Sequence, residues 1–194
     1  PEMVELKQNC SARGVKLLST LLSLKLDSAF VEMTRMPWAT LSSVGDTSPY
    51  VATISSVVEA DVTIIRKWLT ETGAQKSPFF GTFCDQAVVN ISATFIDSLF
   101  HCKRISEVGS QNLLLDLHCL RTLLVQLPVL GTADAAGGAP PSDDGLTPPP
   151  PTATGRPPLD PSRQRFIRYV DGRIKRAEMI LKVIGAPQET LADK

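Results

Sequence analysis

The sequence predicts an all-α fold, and three observations carry that expectation. Apolar residues recur at helical spacing along most of the chain, densest in LLLDLHCLRTLLVQL at 113–127, where nine of fifteen residues are Leu or Val. No period-two alternation joined by tight glycine turns offers strands. Proline, glycine and capping residues fall where helices would have to start and stop.

Residues 2–25 read as a first helix, with Leu17, Leu21 and Leu24 on one stripe, Leu18 and Leu22 beside it, and Gly14 weakening its middle. Asp27 is placed to cap a short second helix holding Phe30 and Met33, which Pro37 ends. Trp38 is expected to pack across a helix end. A turn at 42–50 leads to Ser48 and Pro49, an N-cap followed by proline at the first helical position. Val51, Ile54, Val58, Ile65 and Trp68 then keep helical spacing to about Thr72, with Gly73 as the stop. Ser77–Pro78 repeats the opening device for a helix that carries Phe80, Cys84, Val88, Ile91, Phe95, Leu99 and Cys102 on one face.

Residues 103–109 read as a connection, with Ser110 the cap of the leucine-rich segment. Leu113, Leu117, Leu120, Leu124 and Leu127 are spaced four, three, four, three, an unbroken coiled-coil-like seam. With Leu114, Leu115, Leu123 and Val125 on its flanks, this helix is expected in the middle of a bundle, and Pro128 ends it. In 131–163, nine of thirty-three residues are proline and five are glycine, which reads as a disordered loop. A flexible chain of that length spans about 30 Å between its ends, enough to return to either end of a bundle. Phe166, Val170, Ile174, Ala177, Leu181 and Ile184 then form a last amphipathic helix, stopped by Gly185 and Pro187. The expected organisation is a helical bundle over 1–130, the loop over 131–163, and a returning helix over 164–194. A chain that begins at Pro1 is expected to be processed or part of something longer, with the bundle continuing past Lys194.

Composition narrows the function. Twenty basic residues balance twenty acidic ones, so no overall field favours nucleic acid or an anionic membrane. The apolar run Leu17–Leu24 is too short to span a bilayer. Cys10, Cys84, Cys102 and Cys119 lack CxxC spacing and read as free, mostly buried thiols of a reducing compartment. His101–Cys102 and His118–Cys119 invite a zinc site, but helical neighbours diverge by about 100° and cannot both face one metal. A Cys119, His118, Asp116 trio fails as catalytic machinery for the same reason. Gly137–Gly138 has no following Gly-Lys-Ser/Thr to cradle phosphate. No catalytic, cofactor-binding or metal residue is therefore assigned. Polyproline 148–151 reads as flexible insert, the alternative being an SH3-type ligand on a stand-alone helical adaptor. The remaining alternative is an enzyme that brings the His–Cys pairs together from different helices.

One local bias stands out. Over 163–182, Arg163, Arg165, Arg168, Arg173, Lys175, Arg176 and Lys182 face only Asp171 and Glu178. A solvated helix face is the plain explanation. The functional one is a docking patch of Arg168, Arg173, Lys175, Arg176 and Lys182 for an acidic partner or anionic headgroups.

Several stretches together resemble one family. MTRMPW (33–38), VGDTSPYV (44–51), LFHCKRISEVG (99–109), the leucine-rich helix through LPVLG (127–131), and RAEMILKVIGAP (176–187) resemble, in that order, the C-terminal half of the vacuolar protein sorting-associated protein fifty-three family. The resemblance runs from about Asp27 to Pro187, the loop excepted; the insert at 132–163 is longer than the family's. It implies an elongated rod of stacked helical bundles, as in multisubunit tethering complexes, and a subunit of the Golgi-associated retrograde protein complex and its endosomal recycling counterpart. It further implies a non-enzymatic tether without cofactor, peripheral on the cytosolic face of the trans-Golgi network and endosomes. The implied partners are other tether subunits, SNARE proteins and small GTPases.

Overall fold

In the computed structural model, which describes residues 2–71, 78–131 and 160–186, five α-helices are present and no strand occurs among those residues. They are α1 (Glu2–Arg35), α2 (Pro49–Glu71), α3 (Pro78–His101), α4 (Glu107–Gln126) and α5 (Pro161–Ile184). α1 packs on α2 and α3, α4 packs on α2 and α5, and α3 packs on α5, so the five helices close a ring around one core. The expected stops and caps at Gly73, Ser77 and Pro187, and most of the proline-rich segment, lie outside the described residues.

α1 corrects the expected pair of helices. It runs unbroken through Asp27, which stays in water while Leu22, Leu26, Phe30 and Met33 carry one buried row across it. Burying each such side chain contributes about 1.5–3 kcal/mol, far more than the roughly 0.7 kcal/mol at most that an interior Asp costs in propensity. The expected stripe is also the wrong one. Leu17, Leu21 and Leu24 are 65%, 55% and 60% exposed, and the row through Leu22 faces the core. Only that row continues into Leu26, Phe30 and Met33.

α3 is the apolar partner of α1 and α5. Its stretch Phe79–His101 is long and apolar enough to cross a bilayer by length and composition. Here Phe83, Cys84, Ala87, Val88, Ile91, Phe95 and Leu99 are buried among the other helices. In α2, Val51, Ile54, Val58 and Ile65 face the core as expected, whereas Trp68 is 58% exposed.

α4 buries its whole seam, Leu113, Leu117, Leu120, Leu124 and Leu127. It is not encircled: Gln111, His118, Thr122 and Gln126 keep a narrow polar stripe in water. The cap is Ser106, four residues earlier than Ser110, because the Gly109 amide reaches the Ser106 hydroxyl at 3.0 Å. Ser110 lies inside the first turns, buried, with its hydroxyl donating to the Glu107 carbonyl at 2.7 Å. Its place is set by close approaches. A Cβ on Gly109 would run into the Trp38 carbonyl oxygen, and one on Gly185 would run into the Ser110 hydroxyl. The start of α4 therefore touches the end of α1 and the end of α5 through two glycines.

At its other end α4 turns through residues 127–131 to Gly131 at φ 73°, and Arg66 of α2 binds the carbonyls of Pro128 and Leu130. The Arg66 guanidinium lies 4.1 Å from the Phe80 ring centroid, tying α2, α3 and this turn together. α5 begins earlier than expected: Asp160, Pro161, Ser162 and Arg163 belong to it and not to the loop. The Asp160 side chain accepts from the Ser162 amide at 3.2 Å with proline at the first helical position.

Candidate docking surface

The basic residues of α5 spread along its exposed arc rather than gathering at one point. Arg168, Arg173, Lys175, Arg176 and Lys182 are all exposed. Val170, Ile174, Ala177 and Leu181 point into the bundle, and the cations distribute around the remaining arc. Arg173 stacks on its own helix, its guanidinium 5.2 Å from the Tyr169 ring centroid. With Arg176 it lines a groove toward α3 that also holds Asp97 and Phe100. Lys175 lies on the α4 side beside Arg121, Asp171 and Glu178. Lys182 pairs with Glu178 one turn away, a bridge worth at most a few tenths of a kcal/mol. Arg121 pairs with Asp171 at 2.6 Å across a half-exposed contact between α4 and α5, which offsets the charge of one of the two local acids.

Arg168, Lys175 and Arg176 are left without an ionic partner among the described residues. At helical spacing, the face that carries them continues into Met179 and Val183, which are 52% and 64% exposed. It is thus basic along one length and apolar along the next, a combination that suits a partner surface or a headgroup layer.

A second surface was hidden by the wrong choice of stripe on α1. Met3, Cys10, Leu17, Leu24 and Val31 are exposed and recur every seven residues, with Leu21 beside them. Seven is the repeat with which one helix lies along another. The signal was present in the sequence, but only the buried row tells which stripe faces outward.

The polar groups that looked reactive have local partners. The His101 Nδ1 lies 2.7 Å from the Asp97 carbonyl, which can only accept, so this nitrogen donates. The Cys102 thiol donates to the Ser98 carbonyl, and Cys119 contacts the Thr47 hydroxyl at 3.3 Å. Burial pushes the Cys84 thiol up to about 12. No three His, Cys, Asp or Glu side chains gather to hold a metal among the described residues.

Asp116 has a different task. Asn112, Asp116 and Cys119 lie on one face of α4 and hold the loop 44–50 against it. The Gly45 amide donates to Asn112 Oδ1 at 3.1 Å, the Ser48 amide donates to Asp116 Oδ1 at 2.9 Å, and Asn112 Nδ2 donates to the Ser48 hydroxyl at 3.2 Å. Sequence reading missed this latch, whose signal was two polar residues four apart on an otherwise apolar helix. The Tyr50 hydroxyl and the other Asp116 oxygen are buried and neither closes a hydrogen bond of standard geometry. They are close enough to perturb each other: burial first, then the Asp116 charge, raises the Tyr50 phenol.

These contacts give the resembling stretches a common place. MTRMPW brings Trp38, VGDTSPYV brings Ser48 and Tyr50, LFHCKRISEVG brings Ser106 and Gly109, and RAEMILKVIGAP brings Gly185. All of them converge on the first half of α4.

Comparison with known proteins finds two named relatives. The chain is 30% identical over 195 aligned residues, 99% of its length, to vacuolar protein sorting-associated protein 53 A of Arabidopsis thaliana. It is 28% identical over 165 residues, 85% of its length, to the vacuolar protein sorting-associated protein 53 homolog of Caenorhabditis elegans. The chain is a distant homologue of these proteins. It spans 20% and 17% of their respective lengths. No protein-family model matches the chain, and no solved structure does.

Proposed function

We propose that this chain is a non-enzymatic helical segment of a multisubunit vesicle tether, of the rod-like kind, serving endosome-to-trans-Golgi retrograde transport. The observation that carries this reading is the homology along 99% of the chain to the plant protein. An all-helical bundle whose polar groups serve joints between helices supports a role through surfaces. The proposed partners are the other subunits of the Golgi-associated retrograde protein complex, SNARE proteins and small GTPases. The proposed location is peripheral, on the cytosolic face of trans-Golgi and endosomal membranes.

The face of α5 with Arg168, Lys175 and Arg176 is the docking surface proposed here, Arg173 and Lys182 contributing from its edges. Each cation near an anionic surface contributes about 1 kcal/mol. The triple variant Arg168→Glu, Lys175→Glu, Arg176→Glu should therefore weaken recruitment to tether subunits or anionic liposomes at least about tenfold. Its melting temperature should stay close to the parent's, since all three side chains are exposed and unpaired. Co-isolation with the assembled tether, parent against variant, measures the effect. Unchanged recruitment removes this face, and failure of the parent chain to retain any tether subunit removes the tether reading.

A further inference from the structure

A separate groove of about 630 Å³ opens where the last turns of α1 and α3 meet, lined by Arg35, His101, Lys103 and Arg104 with Pro37 and Trp38 at its base. No acidic residue lines it. Arg35, Lys103 and Arg104 are exposed and have neither an ionic nor a hydrogen-bonding partner among the described residues. Cations do gather at helix C-termini to complement the dipole. Here several of the carbonyls near the two helix ends are already served by other groups. Met33 O accepts from the Met36 amide and the Trp38 indole, Asp97 O from His101, Ser98 O from the Cys102 thiol, and Leu99 O from the Cys102 amide. Three long cations thus stand around a groove without a side-chain partner inside the fold.

We infer that this groove docks an acidic peptide segment of a partner protein. A compact phosphate is favoured where backbone amides and a positive helix end converge. This groove sits at the carbonyl ends of two helices, which oppose a concentrated dianion. Carboxylates spaced along a peptide meet the cations at the tips of their side chains, away from those carbonyls. The exposed edges of Pro37 and its neighbours provide apolar contact between the charged positions. The site is distinct from the α5 face and does not depend on it.

The test is fluorescence anisotropy of a labelled peptide rich in Glu and Asp with interspersed Leu, titrated with the full chain. The parent chain should bind, with affinity falling as salt rises. The variant Arg35→Glu, Lys103→Glu, Arg104→Glu should weaken binding at least about tenfold, while Arg168→Glu, Arg176→Glu leaves it unchanged. Because the triple variant could lose fold, circular dichroism accompanies it. The milder pair Lys103→Gln, Arg104→Gln should weaken binding about threefold without altering the spectrum. Absence of peptide binding by the parent, equal binding by the variants, or capture of phosphatidylserine vesicles in place of the peptide would each overturn the inference.

Discussion

Truncating Trp38 to alanine should lower the unfolding free energy by about 3–5 kcal/mol, the usual loss for a buried tryptophan. Trp38 is 1% exposed and serves the fold in three ways. Its indole N–H donates to the Met33 carbonyl at 2.8 Å, closing the end of α1. Its ring stands edge-on to Tyr50, centroids 6.5 Å apart and planes at 89°. Its own carbonyl accepts from the Ser106 amide at 3.2 Å and the Ser106 hydroxyl at 2.7 Å, fixing where α4 begins. Truncation leaves a cavity where α1, α2 and α4 meet, and the Gly109 contact with the Trp38 backbone loses its support. Trp38→Phe keeps most of the volume but removes the second donor to the Met33 carbonyl, so a smaller loss of about 1–2 kcal/mol is expected. Urea unfolding followed by circular dichroism measures both, the midpoint moving and the slope holding. A Trp38→Ala protein as stable as the parent would mean that the joint does not organise the bundle.

Asp116 provides the second large effect, with a sign that depends on pH. Asp116→Ala strands the Ser48 amide in a buried place and should cost about 1–3 kcal/mol. Asp116→Asn should behave differently. Its carbonyl oxygen can keep the Ser48 bond and its amide can donate toward Tyr50. The carboxyl of Asp116 is raised from its ordinary value of 3.8, first by burial, against the lowering effect of Ser48 and of the nearby Tyr50 hydroxyl. A folded-state value above the unfolded one means that the native protein holds the proton more tightly. This group therefore favours the fold below the ordinary carboxylate range and loses that contribution as pH climbs through the raised value. The difference in stability between Asp116→Asn and the parent should grow in the variant's favour across that window and level off above it. Denaturation midpoints from acid to neutral pH give the curve; a parallel pair of curves contradicts a buried, titrating Asp116.

The helices were legible because each carries a buried row at the period of an α-helix and is punctuated by residues whose backbone chemistry is local. Pro49, Pro78 and Gly185 mark helix boundaries for reasons that need no neighbour. What stayed hidden depends on contacts between distant residues. α1 offered two leucine rows, and the choice between them follows from Phe30 and Met33 meeting the other helices. Ser110 read as the cap of α4 from sequence, and the contact of Ser106 with the Trp38 carbonyl moves the cap to Ser106. The roles of Asn112 and Asp116 were not legible because their partners lie more than sixty residues away. Which α5 cations keep an ionic partner was not legible, because the Arg121–Asp171 pair that takes one nearby acid exists only once α4 lies beside α5.

Hydrogen exchange under native conditions tests the central claim most directly, namely that α4 is the strut whose first half joins the end of α1, the start of α2 and the end of α5. Amides from Leu117 to Leu124 should be among the slowest in the chain, exchanging only through global unfolding. Amides in the exposed first turns of α1 should exchange orders of magnitude faster. If the α4 amides exchange as quickly as those of α1, the strut is not the organising element and the account of the fold fails.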